Sequence, residues 1–181
     1  MRIITGNARG TKLQTLSGED TRPTTEVVKE GIFSAIQFDI YERNVLDLFG
    51  GCGQLALEAL SRGAEKAVII DSSRDAANII KTNAKNTKMF SKCLISCMDW
   101  KAYVKSVAGK EKFSLIFLDP PYKDGMLDQV LKSIFEANIV SDDAIIVCES
   151  SISGVPEPIE GFKVKSYRYG KIYVTIFRRE S

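Results

Sequence analysis

Short apolar runs recur along the chain at VLDLF (45–49), AVIID (67–71), KCLIS (92–96), SLIFLD (114–119) and AIIVCES (144–150). Their density of Val, Ile, Leu and Phe predicts strands covered on both faces. Helical patterns fill the gaps: Gln54–Arg62 closed by Gly63, Arg74–Asn86, Lys101–Val107 and Met126–Ala137. Such alternation predicts right-handed crossovers and a doubly wound, mostly parallel sheet, an α/β fold. The C-terminus breaks the pattern, because KVKSYRY and KIYVTIFRR flank a single Gly170 and two strands so closely joined must run antiparallel. Pro23 to Ile36 reads as a helix with Thr24 near its cap and Val28, Ile32, Ala35 and Ile36 on one face. Ahead of it RIITGNARGTKLQTL alternates polar and apolar residues around GNARG, which suggests a hairpin with a basic tip. Residues 1–40 form an N-terminal hairpin-and-helix extension in this reading, and 41–181 the main α/β domain. No repeat, low-complexity stretch or linker interrupts them.

Composition narrows the classes. The 181 residues are 44% apolar and 27% charged, ordinary for a globular protein that buries its own core. No apolar run approaches a bilayer span, and MRIITGNARG lacks the apolar core of a secretory signal, so a cytoplasmic protein is expected, with no membrane partner. The four cysteines are scattered without a CxxC pair and there is no histidine, which argues against a metal site. The missing histidine also removes the usual general base and any Ser/His or Cys/His pair. Any reaction must need little base catalysis or take it from a carboxylate. The net charge of +2 hides two basic ends: Arg2, Arg9 and Lys12 without an acid in residues 1–15, and Lys163, Lys165, Arg168, Lys171, Arg178 and Arg179 against Glu180 alone in residues 161–181. A solvated surface accounts for these; so does a polyanionic partner, since clustered Lys and Arg gain affinity by releasing phosphate counterions.

The first strand adds a candidate ligand site. VLDLFGGCGQLALEAL runs from a strand through Gly50, Gly51 and Gly53 into a helix, and Gly51 to Ala56 satisfies GxGxxA. Asp71, followed by Ser72, closes the second strand 18 residues after Gly53 and can accept from a ribose diol. An adenosine-type cofactor fits this arrangement; a tight turn plus a strand-end acid is the plainer account. Nicotinamide dinucleotide and S-adenosylmethionine are separated by Asp47, which sits where a dehydrogenase normally has an apolar residue. Burying that carboxylate is costly unless backbone N–H groups or a cationic ligand satisfy it, and S-adenosylmethionine brings an ammonium and a sulfonium. Asp99, in CMDW, is placed to accept from an adenine amino group, with Trp100 packing on the ring or simply in the core.

FLDPPYKDG (117–125) ends a buried strand with an acid, two prolines and an aromatic ring. Proline has no N–H and a fixed φ, so Pro120 and Pro121 stop sheet pairing and hold Asp119 and Tyr122 rigidly at the strand's end, where open parallel sheets bind ligands.

DLFGGCG, Asp71, the Asp99 turn and DPPY, in this order, resemble class I S-adenosylmethionine-dependent amino-methyltransferases. MRIITGNARGTKL, TRPTTEVVKEGIFSAI, LDLFGGCGQLALEALSRGA, FLDPPY and RYGKIYVTIFRR together resemble the bacterial 16S rRNA guanine-N2 methyltransferase family almost end to end. The glycine turn departs mildly from the family's usual AGSGALGLEA, with Cys52 for a serine and Gln54 for a small residue. The resemblance implies a Rossmann-like sheet of seven strands, the last antiparallel. It implies S-adenosylmethionine over Gly51 and Gly53, with Asp71 on the ribose, Asp99 near adenine, and Arg22, Thr24 and Thr25 closing over the methionine end. Asp119 and the Pro120 carbonyl would hold the exocyclic amine, and Tyr122 would stack on an extruded base. Arg9, Lys12, Arg168, Tyr169 and Lys171 would contact RNA. The implied partner is 16S rRNA or a 30S assembly particle, bound by a monomer. Adenine-N6 methylation uses the same amine site; a nicotinamide oxidoreductase leaves Asp47 and DPPY unexplained; a noncatalytic RNA-binding module rests on the basic ends alone.

Overall fold

The computed structural model describes residues 1–17, 25–151 and 154–180. Strands β1 (Asn44–Asp47), β2 (Lys66–Asp71), β3 (Cys93–Cys97), β4 (Phe113–Leu118), β5 (Val140–Ser150), β6 (Phe162–Tyr169) and β7 (Ile172–Arg179) form one sheet in the order β3-β2-β1-β4-β5-β7-β6. β1 to β5 are parallel and β7 runs antiparallel to both β5 and β6. The order reverses at β1, so the connections leaving β1 and β4 diverge at the strands' C-terminal ends and leave a crevice there.

Helices α1 (Glu26–Ala35), α2 (Gln54–Ser61), α3 (Arg74–Asn86), α4 (Trp100–Val107) and α5 (Met126–Glu136) cover the sheet. One core holds α1, α2 and α3 against Val45, Ile69, Leu115, Phe117 and Val147; the other holds α4 and α5 against Leu46, Ile70, Ile116, Leu118 and Ile146. Alternate residues of the same strands thus feed opposite cores, which explains their nearly continuous apolar runs. The edges behave differently. β3 leaves Leu94 56% exposed, and β6 turns Lys163, Val164, Lys165 and Ser166 to solvent, so coverage on both faces holds for the interior strands and fails at the two outermost strands of the described sheet.

Capping chemistry sets the element boundaries where they differ from the apolar pattern. α1 begins after Thr25, whose hydroxyl accepts from Val28 N–H, and Pro23 and Thr24 lie outside the described residues. α4 begins at Trp100 rather than Lys101, because Asp99 caps it. β4 stops at Leu118, leaving Asp119 just beyond the ladder. β5 starts at Val140, ahead of the apolar run, across a register shift opposite Phe113 and Leu115. At the N-terminus a single antiparallel bridge joins Arg2 and Lys12, and Ile3 N–H donates to the Thr11 carbonyl at 3.0 Å. The hairpin is therefore minimal. Its Ile3, Ala8 and Leu13 are buried in the same core as α1 and α2.

Candidate active site

A cleft of about 630 Å³ opens at the C-terminal ends of β1, β2 and β4. Its walls come from the glycine turn, from Asp47, Asp71, Ser72, Asp99 and Trp100, and from the whole of Asp119–Tyr122. Residues as far apart in sequence as Asp47 and Tyr122 thus meet because parallel strands end on one side of the sheet.

The glycine turn is built from backbone. Gly51 and Gly53 have φ of +58° and +82°, a region that other residues reach only with strain. Gly50 N–H donates to the Ile70 carbonyl, and a Cβ on Gly50 would meet Ile69 Cγ2 at 2.5 Å, so the turn lies tight against β2. Asp71 braces it further: one carboxylate oxygen accepts from Gly51 N–H at 2.9 Å and the other from Ser73 N–H at 2.8 Å. Each oxygen retains a second lone-pair direction for a hydroxyl.

Asp47, the last residue of β1, is 1% exposed, and its Oδ1 accepts from Phe49 N–H at 3.3 Å. Burial pushes its carboxyl up to about 7, against the lowering effect of that hydrogen bond, and Asp71 nearby adds to the rise. A buried acid so placed, at the wall of an open cleft, suits a cationic ligand group that would restore its charge. Gln54 gives a second sign: its Oε1 is buried with no hydrogen-bond partner among the described residues. Asp99 N-caps α4, its Oδ1 accepting from Lys101 and Ala102 N–H. Trp100 is buried and tilted against Phe49 at 6.3 Å between centroids, so it stiffens the cleft wall from within.

Asp119 follows β4 directly, Pro120 is buried, and Pro121 and Tyr122 are exposed, with Tyr122 O–H donating to Glu149 Oε1 at 3.3 Å. Thr25 is occupied in capping α1, and Arg22 and Thr24 lie outside the described residues. Arg9 and Lys12 are carried by the hairpin, and Arg168 and Lys171 are exposed at the β6–β7 turn. Tyr169 is partly buried on the α1 side: a Cβ on Gly31 would sit 2.0 Å from its phenol oxygen. That close approach joins the C-terminal hairpin to α1.

Three contributors are not legible in the sequence. Thr15 and Leu16 line the cleft, carried there by the segment that follows the hairpin. Asn83 of α3 holds that segment: its amide accepts from Gln14 N–H at 2.8 Å and donates to the Gln14 carbonyl at 2.9 Å, while also donating to the Cys52 carbonyl at 2.8 Å. One buried amide therefore ties the segment to the glycine turn. Its only trace in the sequence is a polar residue on the inward stripe of an amphipathic helix.

The family described as "Conserved hypothetical protein 95" matches residues 1–178. The putative rRNA methyltransferase YlbH of Bacillus subtilis is 35% identical over 182 residues, 99% of each chain. The ribosomal RNA small subunit methyltransferase D of Haemophilus influenzae is 33% identical over 151 residues, 83% of this chain and 78% of that one. Among solved structures, the putative methyltransferase yhhF from Escherichia coli superposes with a TM-score of 0.87 at 27% identity, covering 100% of this chain and 98% of that one. The chain belongs to this family, the bacterial small-subunit rRNA guanine-N2 methyltransferases that its motifs resemble.

Proposed function

We propose that the protein transfers a methyl group from S-adenosylmethionine to the exocyclic N2 amine of a guanine in small-subunit (16S) rRNA. The observation that carries this is the meeting, in one cleft, of the Asp71-braced glycine turn, the buried acid Asp47 and the DPPY segment on adjoining parallel strands. Relatives named as rRNA methyltransferases over the chain's full length support the RNA substrate.

Asp71 receives the ribose hydroxyls, Asp47 offers a carboxylate to the cationic methionine end, and Gln54 Oε1 accepts from a nearby donor. Asp99 and Trp100 border the adenine side, and Thr15 and Leu16 close the cleft from above. The donor, once bound, supplies a sulfonium-activated methyl group. An aromatic amine is a weak nucleophile whose lone pair is drawn into the ring, so the protein's task is to orient it. Asp119 and the Pro120 carbonyl accept the two amine hydrogens, turning the nitrogen lone pair toward the methyl carbon for an in-line displacement. The proton leaves to Asp119 or to water. The rigid Pro120–Pro121 pair keeps both acceptors in place, and the Tyr122 ring, anchored through its hydroxyl, stacks on the base. No histidine is needed.

Arg9, Lys12, Arg168, Tyr169 and Lys171 contribute the RNA surface, and the enzyme acts as a cytoplasmic monomer on 16S rRNA or a 30S assembly particle. The test is incubation of wild type and Asp119→Ala with labelled S-adenosylmethionine and small-subunit rRNA, free and assembled, with mass spectrometry of the nucleosides. Wild type should yield N2-methylguanosine. Asp119→Ala should lose transfer by about 10³-fold or more while still binding S-adenosylhomocysteine; transfer at the wild-type rate would remove Asp119 from the chemistry.

A further inference from the structure

Helix α3 carries a basic strip that neither the cleft nor the two ends of the chain account for. Its inward side is Ala76, Ala77, Ile80, Asn83 and Ala84. On its outward side Arg74, Lys81 and Lys85 are exposed, and their spacing of seven and four places them within about 40° of one another around the axis. Lys88, just past the helix at a φ of +60°, and Lys92 continue the exposed run toward β3. Asp75 is the helix's one acid, and among the described residues none of these cations forms a salt bridge. Folding alone gives little reason for the arrangement. Arg74 is the first residue of the helix, at the positive end of its dipole, where a cation is unfavourable. Lys81 and Lys85 stand four apart, where like charges repel; only Lys85, in the last turn, suits the dipole. On α5, by contrast, Lys132 pairs with Glu136 at that same spacing, at 3.8 Å. An aromatic ring lies beside the strip: Phe90 is 44% exposed, with Lys85 Nζ 5.4 Å from its centre.

We propose that this strip is a further RNA-binding surface, which takes the sugar-phosphate backbone of the substrate away from the methylated base. The inference rests on the RNA-methylating reading above and adds a face of the molecule that the basic ends do not include. A polyanion offsets both local costs, since its phosphates pair with the repelling lysines and with Arg74 while their counterions are released. Lysines on one helix face offer point charges and no donor-acceptor pattern, so the strip positions RNA without reading its sequence. Phe90 adds a surface ring on which an unpaired base can rest beside a cation. The strip starts near the cleft, because Ser72 lines the cleft and Arg74 follows two residues on. From Arg74 it runs roughly 16 Å along the helix to Lys85. An RNA that engages both must extend well beyond the target nucleotide, which a folded small-subunit rRNA does.

The experiment measures binding of protein-free small-subunit rRNA over a salt series. Lys81→Glu and Lys85→Glu should each make the slope of log affinity against log salt shallower by about 1, with S-adenosylhomocysteine affinity within about twofold of wild type. Lys132→Glu makes the same change of charge on α5 and should leave the slope at its wild-type value. Unchanged slopes in both α3 variants overturn the assignment. So does an equal change in all three variants, which would trace the effect to net charge. A loss seen with assembled small subunits and absent with protein-free rRNA would give the strip to a protein partner and likewise overturn it. Should an α3 variant lose S-adenosylhomocysteine binding, Lys81→Gln and Lys85→Gln decide by the same slopes, shallower in support and unchanged against. If wild type shows no salt-dependent affinity for rRNA, the RNA reading itself falls, a result distinct from unchanged slopes in the variants.

Discussion

Asp47 is the residue in which fold and ligand make opposite demands. Its folded pKa, about 7, stands above the ordinary 3.8, so the empty fold takes up a proton that the unfolded chain releases. The stability tied to the protonated carboxyl is full below about pH 4, declines as pH rises, and is lost once pH passes about 7. Asp47→Asn should therefore raise the melting temperature of the empty protein more at about pH 8 than at about pH 4, by thermal unfolding at both; an equal shift would detach Asp47 from the linkage. A cationic ligand reverses the preference, because it pairs with the ionised form. Binding of S-adenosylmethionine should release a proton below about pH 7 and tighten as pH rises toward it. Calorimetry in buffers of different ionisation enthalpy measures that proton, and its persistence in Asp47→Asn would assign it elsewhere. The sequence exposed this site because an acid in an apolar strand is conspicuous. Gln54 stood out only as a departure from the family's glycine turn and Asn83 was hidden, since a polar residue on a helix becomes meaningful only when its buried atoms are seen to lack a partner or to hold a distant backbone.

Between elements, a buried charge cluster holds the N-terminal hairpin against α1 and α2. Glu58 on α2 is 0% exposed and accepts from Ile4 N–H at 2.8 Å, Thr5 N–H at 3.0 Å and Arg62 Nε at 2.9 Å, with Lys29 Nζ of α1 at 3.6 Å. Lys29 is equally buried and also donates to the Arg2 carbonyl; burial pushes its ammonium pKa down, against the pull of Glu58. The two partners are unequal. Lys29→Met leaves Glu58 paired with Arg62 and two backbone N–H groups, whereas Glu58→Leu strips every one of those donors at once. Glu58→Leu should cost about 3–5 kcal/mol in urea unfolding and Lys29→Met roughly half that or less. Equal losses would show that the ion pair, rather than the backbone anchorage, is what matters. Element order, sheet class and the closing hairpin were legible because apolar period and turn residues are local signals. Glu58 and Lys29 were not, since on a helix they look like ordinary surface charges. Asp99 was legible as a cleft residue but not as the cap that starts α4.

Across the whole molecule, α1 gathers the two basic ends that the sequence separates. Arg2 pairs with Glu26 at 3.2 Å at its start, Lys29 holds the hairpin backbone along its length, and Gly31 receives Tyr169 from the C-terminal hairpin. Arg9 and Lys12 on one side and Arg168 and Lys171 on the other are thereby carried as cations by elements seated on the same helix. In the proposed reaction such a divided patch would suit a folded RNA, whose phosphates are read by position while the target base stacks on Tyr122. Arg168 is held in shape by its bond to the Gly170 carbonyl at 3.0 Å and by the Tyr173 ring, which suits a fixed phosphate partner. If the hairpin tip contributes to this surface, reversing charge at Arg9 and Lys12 frees the phosphates they neutralise without disturbing the cleft. The slope of log affinity against log salt should then become shallower by about 1 per phosphate freed, with the greatest weakening at low salt, while S-adenosylhomocysteine binding stays unchanged. Filter binding of small-subunit rRNA over a salt series measures both slopes. Equal slopes for wild type and the reversed-charge variant would place the RNA elsewhere.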